Sequence, residues 1–236
     1  MRNDVPLMLF AAGFGKRMGA LTEHQPKPLV QVAGKALVDH ALEVADAAAI
    51  TRRVINLHYR GQQLADHLAG RDILLSWERD QILETGGGLK AALPLLGSGP
   101  LLILNTDAIW TGQNPLTQLM QAWDDTRMDA LLLTLPADRA RSATGRSDFV
   151  ITPPMPGPIR WAKGDPGHLY LGAQMVHPRI LDGFDEPVFS FHGPWTKAIS
   201  AGRAFAIEHA GDWCDVGHPQ GIALAEHLLD RAKADV

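Results

Sequence analysis

The segment FAAGFGKRMG, residues 10–19, follows a short apolar run and carries Gly13, Gly15 and Gly19 around Lys16 and Arg17. Glycine-rich turns after a strand hold phosphate, because main-chain N–H groups approach an anion closely where no Cβ intervenes. Taken alone, the loop has three readings. A dinucleotide fingerprint needs G-x-G-x-x-G and an acidic residue about 20 positions on. Here Met18 stands where the third glycine belongs, and residues 30–45 read as a turn and a helix start rather than a second strand. A Walker A loop needs G-x-x-x-x-G-K-[ST], but Arg17 follows Gly15-Lys16, so the hydroxyl is missing. The third reading is a tight strand-to-helix turn without ligand.

The elements that would position this loop alternate along the chain. Apolar runs predict strands over 7–11, 53–57, 73–77, 101–105 and 130–135. Between them, Leu37, Ala41, Val44 and Ala48 recur at helical spacing over 36–48, and shorter helices are expected over 62–68, 87–96 and 116–123. Strand–helix alternation implies βαβ units and a mostly parallel sheet. In such sheets ligands sit beyond the carboxyl ends of strands. Asp107, closing LLILNTD (101–107), therefore stands where a metal-binding carboxylate belongs. After about residue 140 the rhythm changes: TPPMPGP (152–158) is a turn, strands over 159–163, 169–176 and 204–208 look antiparallel, and a helix over 219–233 closes the chain.

Bulk properties narrow the function. The 236 residues, 46% hydrophobic and 20% charged, suit one soluble domain over 1–236. A net charge of −4 gives no basic face for nucleic acid. No apolar run approaches the ~20 residues of a membrane span, and MRNDVPLMLFAAG lacks the apolar core of a signal peptide, so a cytoplasmic protein is expected. Cys214 is the single cysteine, which excludes an internal disulfide and a cysteine-cluster zinc site; it reads as a small core thiol. The ten histidines show no paired-ligand spacing.

The continuation of the loop decides between its readings. Ala11-Ala12-Gly13, Gly15, Arg17, Leu21-Thr22 and Pro26-Lys27-Pro28-Leu29 stand in register with the signature of the sugar-1-phosphate nucleotidyltransferases, which the sequence resembles over nearly its whole length. The resemblance implies a Rossmann-like three-layer α/β/α fold with a mostly parallel central sheet and a smaller antiparallel region on the acceptor side. It implies a nucleotide half over about 1–140 and an acceptor half over about 141–236. The implied substrates are a nucleoside triphosphate and a sugar 1-phosphate, with Mg2+ as cofactor and a monomer or small homo-oligomer as the working unit.

Residue by residue, Ala11, Ala12, Gly13 and Gly15 would face the phosphates, Arg17 would fork onto the β- and γ-phosphate oxygens, and Lys27, stiffened by Pro26 and Pro28, would neutralise the α-phosphate. Asp107 and, in WCDVG (213–217), Asp215 match the family's metal ligands. ETGGG (84–88) matches a segment that reads the base, giving Glu84, Thr85, Gly86 and Gly87 nucleotide contacts. On the acceptor side stand Asn56, Asn105, Asp148 in GRSDF (145–149) and Gly172 in LYLGAQ (169–174); Asn56 reads equally as a hydrogen-bonded turn residue, and Lys163 as a surface lysine. Two departures bear on the substrate: Gly19-Ala20 replaces the usual x-Pro, and Thr106 replaces a glycine before the metal aspartate. Compact uridylyltransferases of cell-wall recycling share Asn56-x-His58, Glu84-Thr85-Gly86-Gly87-Gly88 and Asn105-x-Asp107, which favours UTP and N-acetylmuramate 1-phosphate. Glucose or mannose 1-phosphate, other triphosphates and a non-catalytic nucleotide-sugar sensor are the alternatives.

Overall fold

The computed structural model describes residues 5–140 and 147–234. The first half runs β1 (Leu7–Phe10), β2 (Gln31–Val32), β3 (Lys35–Ala36), α1 (Leu37–Ala47), β4 (Arg53–Leu57), α2 (Gly61–His67), β5 (Leu74–Trp77), α3 (Glu84–Leu96), β6 (Leu101–Asn105), β7 (Ala108–Trp110), α4 (Pro115–Ala122) and β8 (Ala130–Pro136). The second runs β9 (Phe149–Ile151), β10 (Gly157–Trp161), β11 (His168–Val176), α5 (His192–Ser200), β12 (Ala204–Glu208), β13 (Trp213–Asp215) and α6 (Gln220–Ala234).

Nine strands form one sheet in the order β5-β4-β1-β6-β11-β8-β12-β10-β9. The run β5-β4-β1-β6 is parallel, as is the pair β8–β12. β11 enters antiparallel between β6 and β8, and β10 pairs antiparallel with β12 and β9. Alternation along the strands sorts the helices into two layers. Leu7 and Leu9 of β1 and Leu102 and Leu104 of β6 share a core with Val38 and Ala41 of α1, Leu64 of α2 and Leu116 of α4. Met8 and Ile103, pointing the other way, share a core with Leu89 and Ala92 of α3 and Ala198 of α5. Each fully buried leucine contributes roughly 1.5–3 kcal/mol, so a one-residue register slip, which would exchange the faces, is disfavoured. This is the expected three-layer α/β/α arrangement. No helix among the described residues is long and apolar enough to cross a membrane.

Three local differences from the sequence expectation have physical causes. β1 ends at Phe10 rather than residue 11, because the Ala11 N–H donates to the Asn56 side chain instead of a neighbouring strand. α3 begins at Glu84, ahead of its glycines. Its early amides are taken by protein acceptors: Glu78 Oε2 accepts from Leu83 N–H, and the Phe189 carbonyl accepts from Gly86 and Gly87. These bonds supply what glycine's poor helix propensity does not. α5 is an additional helix; its Pro194 falls in the first turn, where proline is tolerated, and Ala198 packs against the sheet.

Candidate active site

β4, β1 and β6 are adjacent and parallel, so their carboxyl ends share one edge. The chain leaves β1 towards β4 and returns through β5 to β6 on its other side, which makes this edge a topological switch point. A cleft of about 250 Å³ opens there. Ala11, Ala12 and Gly13 line it from the loop after β1, and Glu84 and Thr85 from the start of α3. Asn56, Asn105 and Asp107 line it from the ends of β4 and β6, and Lys27 from the turn that follows Pro26.

The glycine loop is held from inside. Gly15 is left-handed at φ 64°, and a Cβ there would meet Lys27 Cβ and Thr22 Cγ2 at 3.0 Å. The buried Thr22 hydroxyl donates to the Gly15 and Gly19 carbonyls at 3.0 and 3.2 Å. Thr22 therefore closes the loop that the signature opens, a role the sequence reading did not give it. Gly13 differs: nothing lies within 4 Å of where its Cβ would be, so this glycine leaves room for a ligand. Gly19, left-handed at φ 57°, kinks the short helix over Lys16–Thr22 in place of the usual proline turn.

Charge converges beside the loop. β13 pairs antiparallel with β7 so that Asp215 faces Ala108, and Val216 N–H donates to the Asp107 carbonyl at 2.8 Å. Two aspartates far apart in the chain thus become neighbours. Lys27 Nζ donates to Asp107 Oδ2 at 2.6 Å. Burial, then the charge of Asp107, push the Asp215 carboxyl above the ordinary aspartate range, while Lys27 and Arg17 pull it down. Arg17 is exposed, with its guanidinium against Gly217; a Cβ there would meet Arg17 Nη2 at 2.9 Å and also strike Asp215.

The ETGGG segment is placed only partly as expected. Glu84, exposed at φ 62°, and Thr85 line the cleft. The Gly86 and Gly87 N–H groups are spent on Phe189, and a Cβ on Gly86 would strike the Phe189 ring, one on Gly87 the Pro187 carbonyl. These glycines admit the 187–189 segment of the chain rather than a base. Asn56 lines the cleft and takes the hydrogen-bonded alternative: its Oδ1 accepts from Ala11 N–H and its Nδ2 donates to Glu78 Oε1, each at 2.7 Å. Thr106 lines the cleft too, with its hydroxyl donating to the Phe10 carbonyl at 2.8 Å and tying β6 to β1.

On the acceptor side, Gly172 is left-handed at φ 83° where the pairing of β11 with β8 shifts register, and its Cα lies against Asn105. A Cβ there would sit 2.8 Å from Asn105 Nδ2. Gly172→Ala is expected to cost about 1–3 kcal/mol through backbone strain alone, read as a lower thermal midpoint, and to move the Asn105 side chain. Asp148 Oδ2 accepts from Tyr170 N–H at 2.9 Å, and burial raises its carboxyl above the usual range. Gly145 and Arg146 of GRSDF lie outside the described residues. Tyr170 belongs to LYLGAQ, in which the sequence singles out only Gly172. Its phenol is held protonated by burial and by the charges of Asp107 and Asp148, which places it in the field of both sides of the site.

A three-layer sheet of this topology, with a phosphate-type glycine loop, a lysine and two carboxylates at its switch point, defines a Rossmann-like nucleotide-handling fold. The chain belongs to the family described as the MobA-like NTP transferase domain, whose profile matches residues 7–204. It is 37% identical to an N-acetylmuramate alpha-1-phosphate uridylyltransferase of Caulobacter vibrioides, across 95% of this chain and 97% of that protein. It is 32% identical to the protein of the same name from Neisseria meningitidis serogroup B, across 89% and 92%. Among solved structures, a UDP-glucose pyrophosphorylase complexed with UDP-glucose shares the fold at a TM-score of 0.76 and 16% identity, covering 96% of this chain and 99% of that one.

Proposed function

We propose that this protein is a magnesium-dependent uridylyltransferase that moves UMP from UTP to a sugar 1-phosphate and releases pyrophosphate, with N-acetylmuramate 1-phosphate as its acceptor. The observation that carries the reading is Lys27 seated on Asp107 with Asp215 alongside, at a cleft whose Gly13 leaves open space. The choice of nucleotide and acceptor is supported by the 37% identity to a protein named for that reaction.

Asp107 and Asp215 suit a hard divalent cation. They provide two carboxylates, and no group of three or more His, Cys, Asp or Glu side chains among the described residues would complete an all-protein cage. That is the pattern of magnesium, which fills its shell with water and phosphate oxygens. Bound there, Mg2+ supplies positive charge to the triphosphate. The chain's own groups do the rest. The loop over residues 11–15 cradles the phosphates, Arg17 holds the β- and γ-phosphates as they leave, and Lys27 passes from Asp107 to the α-phosphate. An acceptor phosphate oxygen forms its bond to the α-phosphorus in line as the bond to the β-phosphate oxygen breaks. The acceptor is already ionised near pH 7, so no general base is needed. Residues of about 1–140 hold the nucleotide and residues of about 141–236 the acceptor, with Asp215 crossing between them. A reaction that consumes UTP fits a cytoplasmic location.

The test is pyrophosphate release with UTP, dTTP, GTP or CTP against a panel of sugar 1-phosphates, with Mg2+ or with chelator. Release confined to UTP with N-acetylmuramate 1-phosphate, and abolished by chelator, is expected. Release with a different pair would transfer the assignment within the family, and silence across the panel would favour a nucleotide-sugar sensor.

A further inference from the structure

Glu78 belongs to none of the motifs, yet it is only 3% exposed, lines the cleft, and forms no ion pair among the described residues. Its two carboxylate oxygens reach different segments. Oε1 accepts from Asn56 Nδ2 at 2.7 Å, and Oε2 accepts from the Leu83 N–H at 2.8 Å, just before α3. Asn56, also 3% exposed, accepts from the Ala11 N–H through Oδ1 at 2.7 Å. Gly88 makes the room: a Cβ there would lie 2.8 Å from Glu78 Oε1 and 3.1 Å from Asn56 Nδ2.

The polarity of this chain of bonds is fixed from both ends. Ala11 N–H and Leu83 N–H are main-chain donors and cannot reverse. Asn56 must therefore turn its oxygen to Ala11 and its amide nitrogen to position 78. Position 78 must then accept twice, which a carboxylate does and an amide does not. The two ends lie on different segments at the cleft, Ala11 in the glycine loop that lines it and Leu83 next to the lining residues Glu84 and Thr85. A buried charge without a cation is a poor source of stability, so its value is in the geometry it imposes.

We propose that Glu78 is a positioning residue that acts through Asn56 and the Leu83 amide to set the spacing of the glycine loop and the start of α3 for the nucleotide. Its nucleotide role rests on the uridylyltransferase reading above; the relay itself does not. Glu78→Gln leaves one buried donor facing another, whichever way the new amide turns. Asn56→Asp sets two carboxylates face to face. The double change N56D/E78Q restores every bond: the new carboxylate at 56 accepts from Ala11 N–H and from the new amide at 78, whose oxygen accepts from Leu83 N–H. Total charge is unchanged.

Two readouts separate the relay from the function. The first is amide hydrogen exchange over residues 7–13, which needs no ligand. The second is UTP affinity with Mg2+ and no sugar, by calorimetry. E78Q is expected to speed exchange at Ala11 and weaken UTP binding about tenfold, the scale of one orphaned buried donor. N56D is expected to be worse, and N56D/E78Q to recover both readouts to within about twofold of wild type. Additive losses in the double variant, or unchanged exchange in E78Q, would overturn the relay, and the double variant decides the matter even if a single change fails to fold. Wild-type protein that exchanges as expected but binds no UTP would leave the relay in place and overturn the nucleotide reading together with the positioning role.

Discussion

Asp107→Asn is expected to lower turnover in pyrophosphate release by at least ~100-fold, the scale of losing one preorganised electrostatic group, while the protein stays folded. The change keeps the side-chain volume and one oxygen that can accept from Lys27. It removes the charge that holds the Lys27 ammonium at 2.6 Å and half of the carboxylate pair formed with Asp215. Stability responds little because two effects oppose. The Lys27 cation loses its partner, but of the two causes that push the Asp215 carboxyl up, burial and then the charge of Asp107, the second is relieved. The glycine loop does not depend on Asp107, since Thr22 holds it and the relay through Asn56 fixes its start. UTP should therefore still find its cradle, and the loss should fall on kcat more than on KM. The measurement is steady-state kinetics beside a thermal melt. A folded variant with near-normal pyrophosphate release would remove Asp107 from the reaction.

What the sequence could and could not disclose follows from how each feature is encoded. The parallel half was legible because its strands are continuous apolar runs and its helices keep a 3.6-residue period, signals written within each segment. β7 and β13 have three residues each and no periodicity, so only the resemblance pointed to Asp215; its place beside Asp107 is a product of pairing. The three glycines after Thr85 read as room for a base, yet Gly86 and Gly87 make room for Phe189 and Pro187 and Gly88 for Glu78. A glycine announces close approach but does not name what approaches. Glu78 left no trace for a related reason. In sequence it is one acid among charged neighbours in a loop, and its burial arises only when Leu83 and Asn56 converge on it. Tyr170 reads as a strand aromatic until the fold sets it between the fields of Asp107 and Asp148.

Lys27→Ala is expected to lower turnover by a similar factor, at least ~100-fold, but through a distinguishable cause. Lys27 sits on Asp107, with most of its side chain buried and the carboxylate part-exposed. Any divalent ion that uses Asp107 and Asp215 must compete with that ammonium. Taking it away leaves two neighbouring carboxylates whose repulsion a metal relieves, so the variant should bind Mn2+, measured by calorimetry or by its paramagnetic signal, at least as tightly as wild type. What it cannot do is place a positive charge on the α-phosphate as the new bond forms. The expected signature is therefore tighter or equal metal binding with turnover that excess Mg2+ does not restore. A merely supporting lysine would give the opposite pattern, weaker metal binding and activity recovered by adding metal. That result would reassign Lys27 from the reacting phosphate to the upkeep of the aspartate pair, and the charge needed at the α-phosphate would then have to come from Arg17, another cation whose field reaches Asp215.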